Sequence, residues 1–296
     1  MTEFRSNQDR PIHGALAVHK PSGPTSHDIV RSVRRFYNTR AGHTGTLDPL
    51  ASGVLVLLLG KATRLARFLQ KNEKSYRATV QLGVSTNTYD REGKTRRREP
   101  VPDYSRQQVG DVLDGFKGEL EQIPPMYSAV RVEGERLYEK ARRGEEIERP
   151  PRRVSIRRLE LKKFSRSRLT VDLVCSAGTY VRVLAHEIGK ALGCGACLWD
   201  LCRLRSGDFR LAEAVPLEEL SRPPARGFKA LEYLLPAFHR VDVQEPAARR
   251  VRHGNSISLS GPPGYCRLFY GDSFLAVARQ TGDAAQPVVV FSHESD

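Results

Sequence analysis

A chain of 296 residues with 39% hydrophobic content can bury one large core, or a main domain with a small appendage, and is expected to be soluble and folded. The 48 Lys and Arg against 34 Asp and Glu leave a formal charge of +14, so the expected partner is a polyanion, nucleic acid ahead of an anionic membrane surface, since neither a segregated amphipathic helix nor a lipidation signal is apparent. No apolar run approaches the ~18 residues that span a bilayer, MTEFRSNQDRPIHG has no signal-peptide hydrophobic region, and five cysteines are not spaced as a disulfide scaffold; together these argue against membrane-spanning and secreted classes and predict a cytoplasmic protein with reduced thiols.

After a polar tail, GALAVH predicts a short strand, and KPSGPT a turn, because two prolines and a glycine cannot continue it. Ser26 is the expected cap of a helix over SHDIVRSVRRFYN, with Ile29, Val30, Val33, Phe36 and Tyr37 on one face and Arg31, Arg34 and Arg35 pointing elsewhere. The next stretch, GHTGTLDPLASGVLVLLLGK, sets a lone acidic residue, Asp48, between a glycine-rich lead-in and an almost unbroken apolar run. GVLVLLLG is too short for a helix between its glycines and predicts a strand buried on both faces, with Asp48 in the loop before it.

SYRATVQLG alternates, with Tyr76, Ala78, Val80 and Leu82 on one face, and predicts a half-buried strand. A polar, arginine-rich, proline-punctuated insertion, about 85 to 155, separates it from a second alternating strand, LTVDLVC. Short helices are expected in the insertion around Val109 to Phe116 and Leu137 to Ala141, and a solvated face is the simplest reading for most of its arginines. LTVDLVC runs through SAGTYVR into a helix carrying Val181, Leu184, Ala185, Ile188 and Leu192, which puts Tyr180 and Arg182 at its first turn. From about residue 237 the strands YCRLFYG, SFLAVA and PVVVF predict a small β-rich domain.

Several motif readings fail on spacing. Gly53 and Gly60 are separated by six apolar residues, and Ala62 follows Lys61, so there is no Walker loop. GHTG matches a KH-type G-x-x-G, but TLDPLASG straight after it is turn-like, where a KH loop joins two helices. His43, Asp48 and Ser52 are hydrolase residue types without a G-x-S-x-G elbow, and Cys194 and Cys197 form a C-x-x-C with no second ligand pair for zinc, so no metal is expected.

HTGTLDPLASGVL resembles the catalytic signature of the TruB-type tRNA pseudouridine synthases. The resemblance spans residues 14 to 220 through HKPSGPTSHDIV, GHTGTLDPLASGVLVLLLGKATR, KSYRATVQLG, IPPMYSAVRVEGERLYEKARRG and CSAGTYVRVLAHEIGKALGCGACLWDLCRLRSG, in family order. One departure falls at Leu201, Cys202, Arg203, where relatives often read Leu-Arg-Arg. The resemblance implies an α+β fold, a mixed and mostly antiparallel sheet flanked by helices. It implies a catalytic domain over 1–236 with a mobile thumb at about 124–152, and a PUA-like RNA-binding domain over 237–296. It further implies isomerisation of uridine to pseudouridine at position 55 in the T arm of tRNA, by a monomer without cofactor or obligatory protein partner.

By the same resemblance Asp48 is the nucleophile, acting at C1′ of the sugar or at C6 of the base, and Arg182 is its salt-bridge partner. Tyr76 stacks on the target base and is a candidate for proton transfer; Tyr180 and Leu201 line the pocket; His43 helps displace the base from the T loop. Lys20 and Pro21 brace the catalytic loop. Two other classes remain open, an RNA chaperone on the same fold, which would not need Asp48, and a relative guided by a partner RNA and accessory proteins.

Overall fold

The computed structural model describes residues 12–291 except 129, 130, 133 and 225, and for residues 131, 136 and 142 the backbone alone; most of the N-terminal tail lies outside the described residues. Two neighbouring strands, β1 (Gly14–Lys20) and β2 (Ser52–Leu59), divide their side chains between two cores. Leu16, Val18, Leu55, Leu57 and Leu59 face one core, covered by helix α1 (Ser26–Tyr37) and by the helix Val181–Ala191. Ala15, Ala17, Val54, Val56 and Leu58 face the other. GVLVLLLG therefore has no polar position because neither of its faces meets water, and each fully buried Val or Leu contributes about 1.5–3 kcal/mol.

The main sheet continues with β3 (Lys74–Leu82), β4 (Gly118–Gln122), β5 (Arg152–Ser165), β6 (Arg168–Cys175), β7 (Ala196–Ser206) and β8 (Phe228–Ala230), in the spatial order β8-β1-β2-β7-β3-β6-β5-β4. Every pair on this path is antiparallel except β2 with β7, which meet in parallel at Ser52 beside Cys202 and Gly53 beside Arg203. That close approach requires glycine, since Gly53 has φ +105° and a Cβ there would lie 2.3 Å from the Arg203 carbonyl oxygen. The mixed, mostly antiparallel sheet flanked by helices is the expected architecture.

Local detail departs from the sequence reading in three places. The cap of α1 is Thr25, in a capping box with Asp28, and Ser26 is the first helical residue. Phe36 is 39% exposed and lies edge-on to Tyr37 beneath Arg222, outside the apolar face assigned to it. The insertion ends earlier than 155, because Arg152 and Arg153 open the 14-residue strand β5. Before that point the chain forms a hairpin of Val84–Thr86 with Thr95–Arg98, helix α2 (Arg106–Asp114), β4 and helix α3 (Leu137–Arg142); the helix into which LTVDLVC leads is α4 (Val181–Ala191).

The C-terminal region is a second sheet of β9 (His239–Asp242), β10 (Ile257–Ser258), β11 (Gly264–Tyr270), β12 (Ser273–Thr281) and β13 (Ala284–Val290), ordered β9-β11-β12-β13-β10. Phe269, Phe274, Val277, Val289 and Phe291 pack into the second core of the main sheet, so this β-rich region covers the back of β1 and β2. Among the described residues no helix is long and apolar enough to cross a membrane.

Candidate active site

Asp48 occupies a loop whose carbonyl oxygens are fully engaged from Gly45 to Ala51. Arg203 donates to Gly45 (3.0 Å) and Thr46 (3.4 Å), the Ser26 hydroxyl to Leu47 (2.8 Å), and the Ala51 amide to Asp48 (3.0 Å). The Lys20 ammonium reaches Pro49 (3.3 Å) and Ala51 (2.6 Å), and the Ser22 hydroxyl reaches Leu50 (2.9 Å). Leu47 and Leu50 anchor the loop in the core, 3% and 1% exposed. Backbone groups in a buried turn need such partners, and here they fix the direction in which the Asp48 side chain enters the cleft.

That side chain meets Arg182, the second residue of α4. Nε of Arg182 lies 2.8 Å from Oδ2 of Asp48 and Nη2 lies 3.3 Å from Oδ1, a two-point fork. The other side of the guanidinium faces a second carboxylate, with Nη1 at 3.4 Å from Oδ2 of Asp90 and 3.3 Å from the Thr88 carbonyl oxygen, while Nη2 donates to the Tyr127 carbonyl at 2.9 Å. Burial pushes the Asp48 carboxyl above its ordinary value of 3.8; Arg182 pulls against this, Asp90 adds to it, and Lys20 opposes it. Burial also brings the Lys20 ammonium down to about 8, against the attraction of Asp48.

Asp48 and Arg182 stand at a cavity of about 540 Å³ that is also lined by His43, Tyr76, Tyr180, Leu201, Arg152 and Arg203. The structure thus brings all six sequence-derived candidates to one place. Tyr76 comes from β3, paired with Leu173 and Arg203, and Leu201 from the adjoining β7. Tyr180 caps α4, and its backbone is held at both ends by the Gln122 side chain, whose oxygen accepts from the Tyr180 amide at 2.9 Å and whose nitrogen donates to the Tyr180 carbonyl at 3.3 Å. Burial raises the phenol of Tyr76, with Arg203 opposing, and raises that of Tyr180, so both are neutral donors near pH 7. Burial, reinforced by Arg203, lowers His43 and favours its uncharged ring, whose Nδ1 is buried without a hydrogen-bond partner among the described residues. Cys202, where the motif departs from its relatives, does not line the cavity.

Asp90 is absent from the sequence-derived set. It sits in the polar stretch STNTYDREG, where an aspartate reads as a turn residue, and its partner Arg182 is 92 positions away. The only signal was indirect, since an arginine buried at a helix start has capacity for more than one acceptor. Arg203 carried the motif but no assigned role; at 2% exposure it is the largest fully buried side chain among the described residues, and its Nε donates to the Val54 carbonyl at 2.6 Å.

The TruB family pseudouridylate synthase N-terminal domain matches residues 34–181, and the tRNA pseudouridylate synthase B C-terminal domain matches residues 182–234. The tRNA pseudouridine synthase B of Symbiobacterium thermophilum is 47% identical over 86% of each chain. That of Dechloromonas aromatica is 44% identical over 88% of this chain and 89% of its own, and that of Nitrosococcus oceani 40% over 96% of each. Among solved structures, a chain of a Cbf5-Nop10-Gar1 complex is 25% identical with a TM-score of 0.71, covering 99% of this chain and 90% of that one. A matched fold from end to end, and curated relatives well above 30% identity over most of their length, place the chain in the TruB family of pseudouridine synthases.

Proposed function

We propose that this protein isomerises uridine to pseudouridine at position 55 in the T arm of tRNA, with Asp48 as nucleophile and without a cofactor. The observation that carries the reading is the Asp48 carboxylate, oriented by the two-point fork of Arg182 in a cavity wide enough for a nucleoside. The reaction breaks the N1–C1′ bond, turns the base and forms the C5–C1′ bond; N1 gains a proton and C5 loses one, so nothing is oxidised or hydrolysed. Ionised Asp48 serves either route, at C1′ or at C6, and Arg182 opposes the burial that favours its neutral form. Tyr76 supplies a face for the base and a hydroxyl for proton transfer in the pocket. Tyr180 and Leu201 close the walls, and His43 stands at the entry side of the loop.

A uridine in a folded arm must leave its stack to reach this cavity, at a cost of a few kcal/mol met by contacts along the RNA. We assign residues 124–152 to a thumb that closes on the arm and 237–296 to a PUA-like RNA-binding domain, and we take the enzyme to act as a cytoplasmic monomer on free tRNA. The test is incubation of purified protein with an unmodified tRNA transcript, followed by mapping of pseudouridine. Conversion at position 55 alone is expected; conversion elsewhere, or only with added protein or guide RNA, would overturn the assignment.

A further inference from the structure

Tyr89 has φ +64°, a left-handed backbone that side chains with a Cβ rarely adopt. It stands between Thr88, whose carbonyl oxygen accepts from Nη1 of Arg182, and Asp90, whose Oδ2 faces the same nitrogen. A carbonyl and a side chain two residues apart converge on one atom because the chain reverses at Tyr89. The reversal is tied down on both sides, with the Leu198 amide donating to the Tyr89 carbonyl and the Arg91 amide to the Leu198 carbonyl, each at 2.9 Å. Asp90 is held by the Thr88 hydroxyl (2.6 Å) and the Glu92 amide (3.1 Å).

A residue keeps such a conformation where its surroundings over-determine it, and such residues gather at functional sites. Here the Tyr89 ring stacks on His186, with centroids 4.3 Å apart and planes at 21°. His186 lies on α4 four residues after Arg182, so one turn of helix presents both the guanidinium and the ring that grips the loop. Burial favours the uncharged imidazole; Glu187 attracts the charged form, whereas Lys190 and, from the hairpin, Arg96 repel it.

We propose that the Tyr89–His186 stack is a positioning device for the Arg182–Asp48 pair, holding the Asn87–Gly93 turn so that Thr88 and Asp90 set the guanidinium against Asp48. This rests on the reading of Asp48 as the reacting carboxylate. The stack touches neither the cavity that holds Asp48 nor the reacting atoms.

The experiment compares Tyr89→Gly, Tyr89→Phe, His186→Ala and the double variant Tyr89→Gly with His186→Ala, in the full chain. Glycine accepts φ +64°, so Tyr89→Gly is expected to keep the fold and tRNA affinity of wild type, with at most a few degrees lost in melting temperature, while its single-turnover rate falls about tenfold. The acid limb of its pH–rate profile should move upward as Asp48 loses part of the Arg182 fork. Tyr89→Phe should restore the rate, His186→Ala should match the glycine variant, and the double variant should be no slower than either. An unchanged rate and pH profile in Tyr89→Gly, or losses that add in the double variant, would overturn the proposal. Titration of the Asp48 carboxyl carbon by NMR reads the same upward shift without turnover. An inactive wild type would therefore reject the catalytic reading, while the positioning role would still stand or fall on the titration.

Discussion

Arg182→Met removes the charge that two carboxylates share and keeps a side chain of similar length. Breaking a buried pair costs about 3–5 kcal/mol because the remaining charge is left uncompensated. Here the penalty is unequal: the Asp90 side chain is 6% exposed and bears most of it, whereas Asp48 is 35% exposed and is eased by water. At about 2–4 °C per kcal/mol for a chain of this size, the melting temperature at neutral pH should drop by on the order of 10 °C. Burial already holds the Asp48 carboxyl above its ordinary value, and losing Arg182 removes the main opposing charge and moves it further up. A raised carboxyl is harmless below the unfolded value and becomes destabilising as pH rises through the folded one, so the gap between wild type and variant should widen from mildly acidic to mildly alkaline pH.

Thermal unfolding at both ends of this pH range, with single-turnover assays, reads the two consequences separately. Activity should fall by at least on the order of 10²–10³, the scale of losing one preorganised electrostatic partner. Adding Asp90→Asn to Arg182→Met should recover much of the stability and none of the activity, because it removes the second stranded charge and leaves Asp48 unpaired. Arg182→Lys should rescue only in part, since an ammonium cannot form the fork. A melting-temperature gap independent of pH, or normal turnover by the Met variant, would refute the three-member network.

Asp48→Asn should abolish isomerisation while leaving tRNA affinity within a few-fold of wild type; turnover by the Asn variant, once deamidation is excluded by mass, would remove the nucleophile assignment. Tyr76→Phe keeps the ring and should keep fold and binding but lose most of the rate, and full activity would reduce Tyr76 to a stacking surface. Neutralising Arg152 and Arg153 together should lower the slope of log affinity against log salt by roughly one unit for each phosphate no longer engaged, measured from low to moderate salt. Arg143 and Arg149 changed to Gln should alter that slope less, because both already face glutamates.

Sequence was most informative where a pattern is enforced by burial within one element. The unbroken run Ser52–Leu59, the alternation of Lys74–Leu82 and the spacing of Val181, Leu184, Ala185 and Ile188 all became the elements they implied. It was least informative where the partner is remote. β5 carries six Lys and Arg, Arg152, Arg153, Arg157, Arg158, Lys162 and Lys163, so its composition mimics a solvated loop although Val154, Ile156 and Leu159 face the core. Ser26 reads as a cap by residue type, but its hydroxyl binds Leu47 in the Asp48 loop and Thr25 closes the helix, a choice fixed by tertiary packing. Asp48 stood out by standing alone among apolar residues. Asp90, on the other side of the same guanidinium, was hidden among polar neighbours.

The charge of the chain can be divided in the same way. Residues 124–152 hold seven Lys and Arg against six Glu, and residues 237–296 hold six Arg against six Asp and Glu. Of the +14, the remaining +13 therefore belongs to the rest of the chain, residues 1–123 and 153–236. Within residues 124–152 Arg143 lies between Glu135 and Glu145 at 2.7 and 2.6 Å, and Lys140 faces the same two carboxylates, so an arginine-rich sequence presents little net field. Arg152 and Arg153 have no acidic partner among the described residues, and Arg152 borders the cavity on the side of Tyr180. In the proposed complex a phosphate drawn by the body of the protein would meet Arg152 and Arg153 beside the cavity, and a near-neutral segment ahead of them would close over the arm without competing for the backbone.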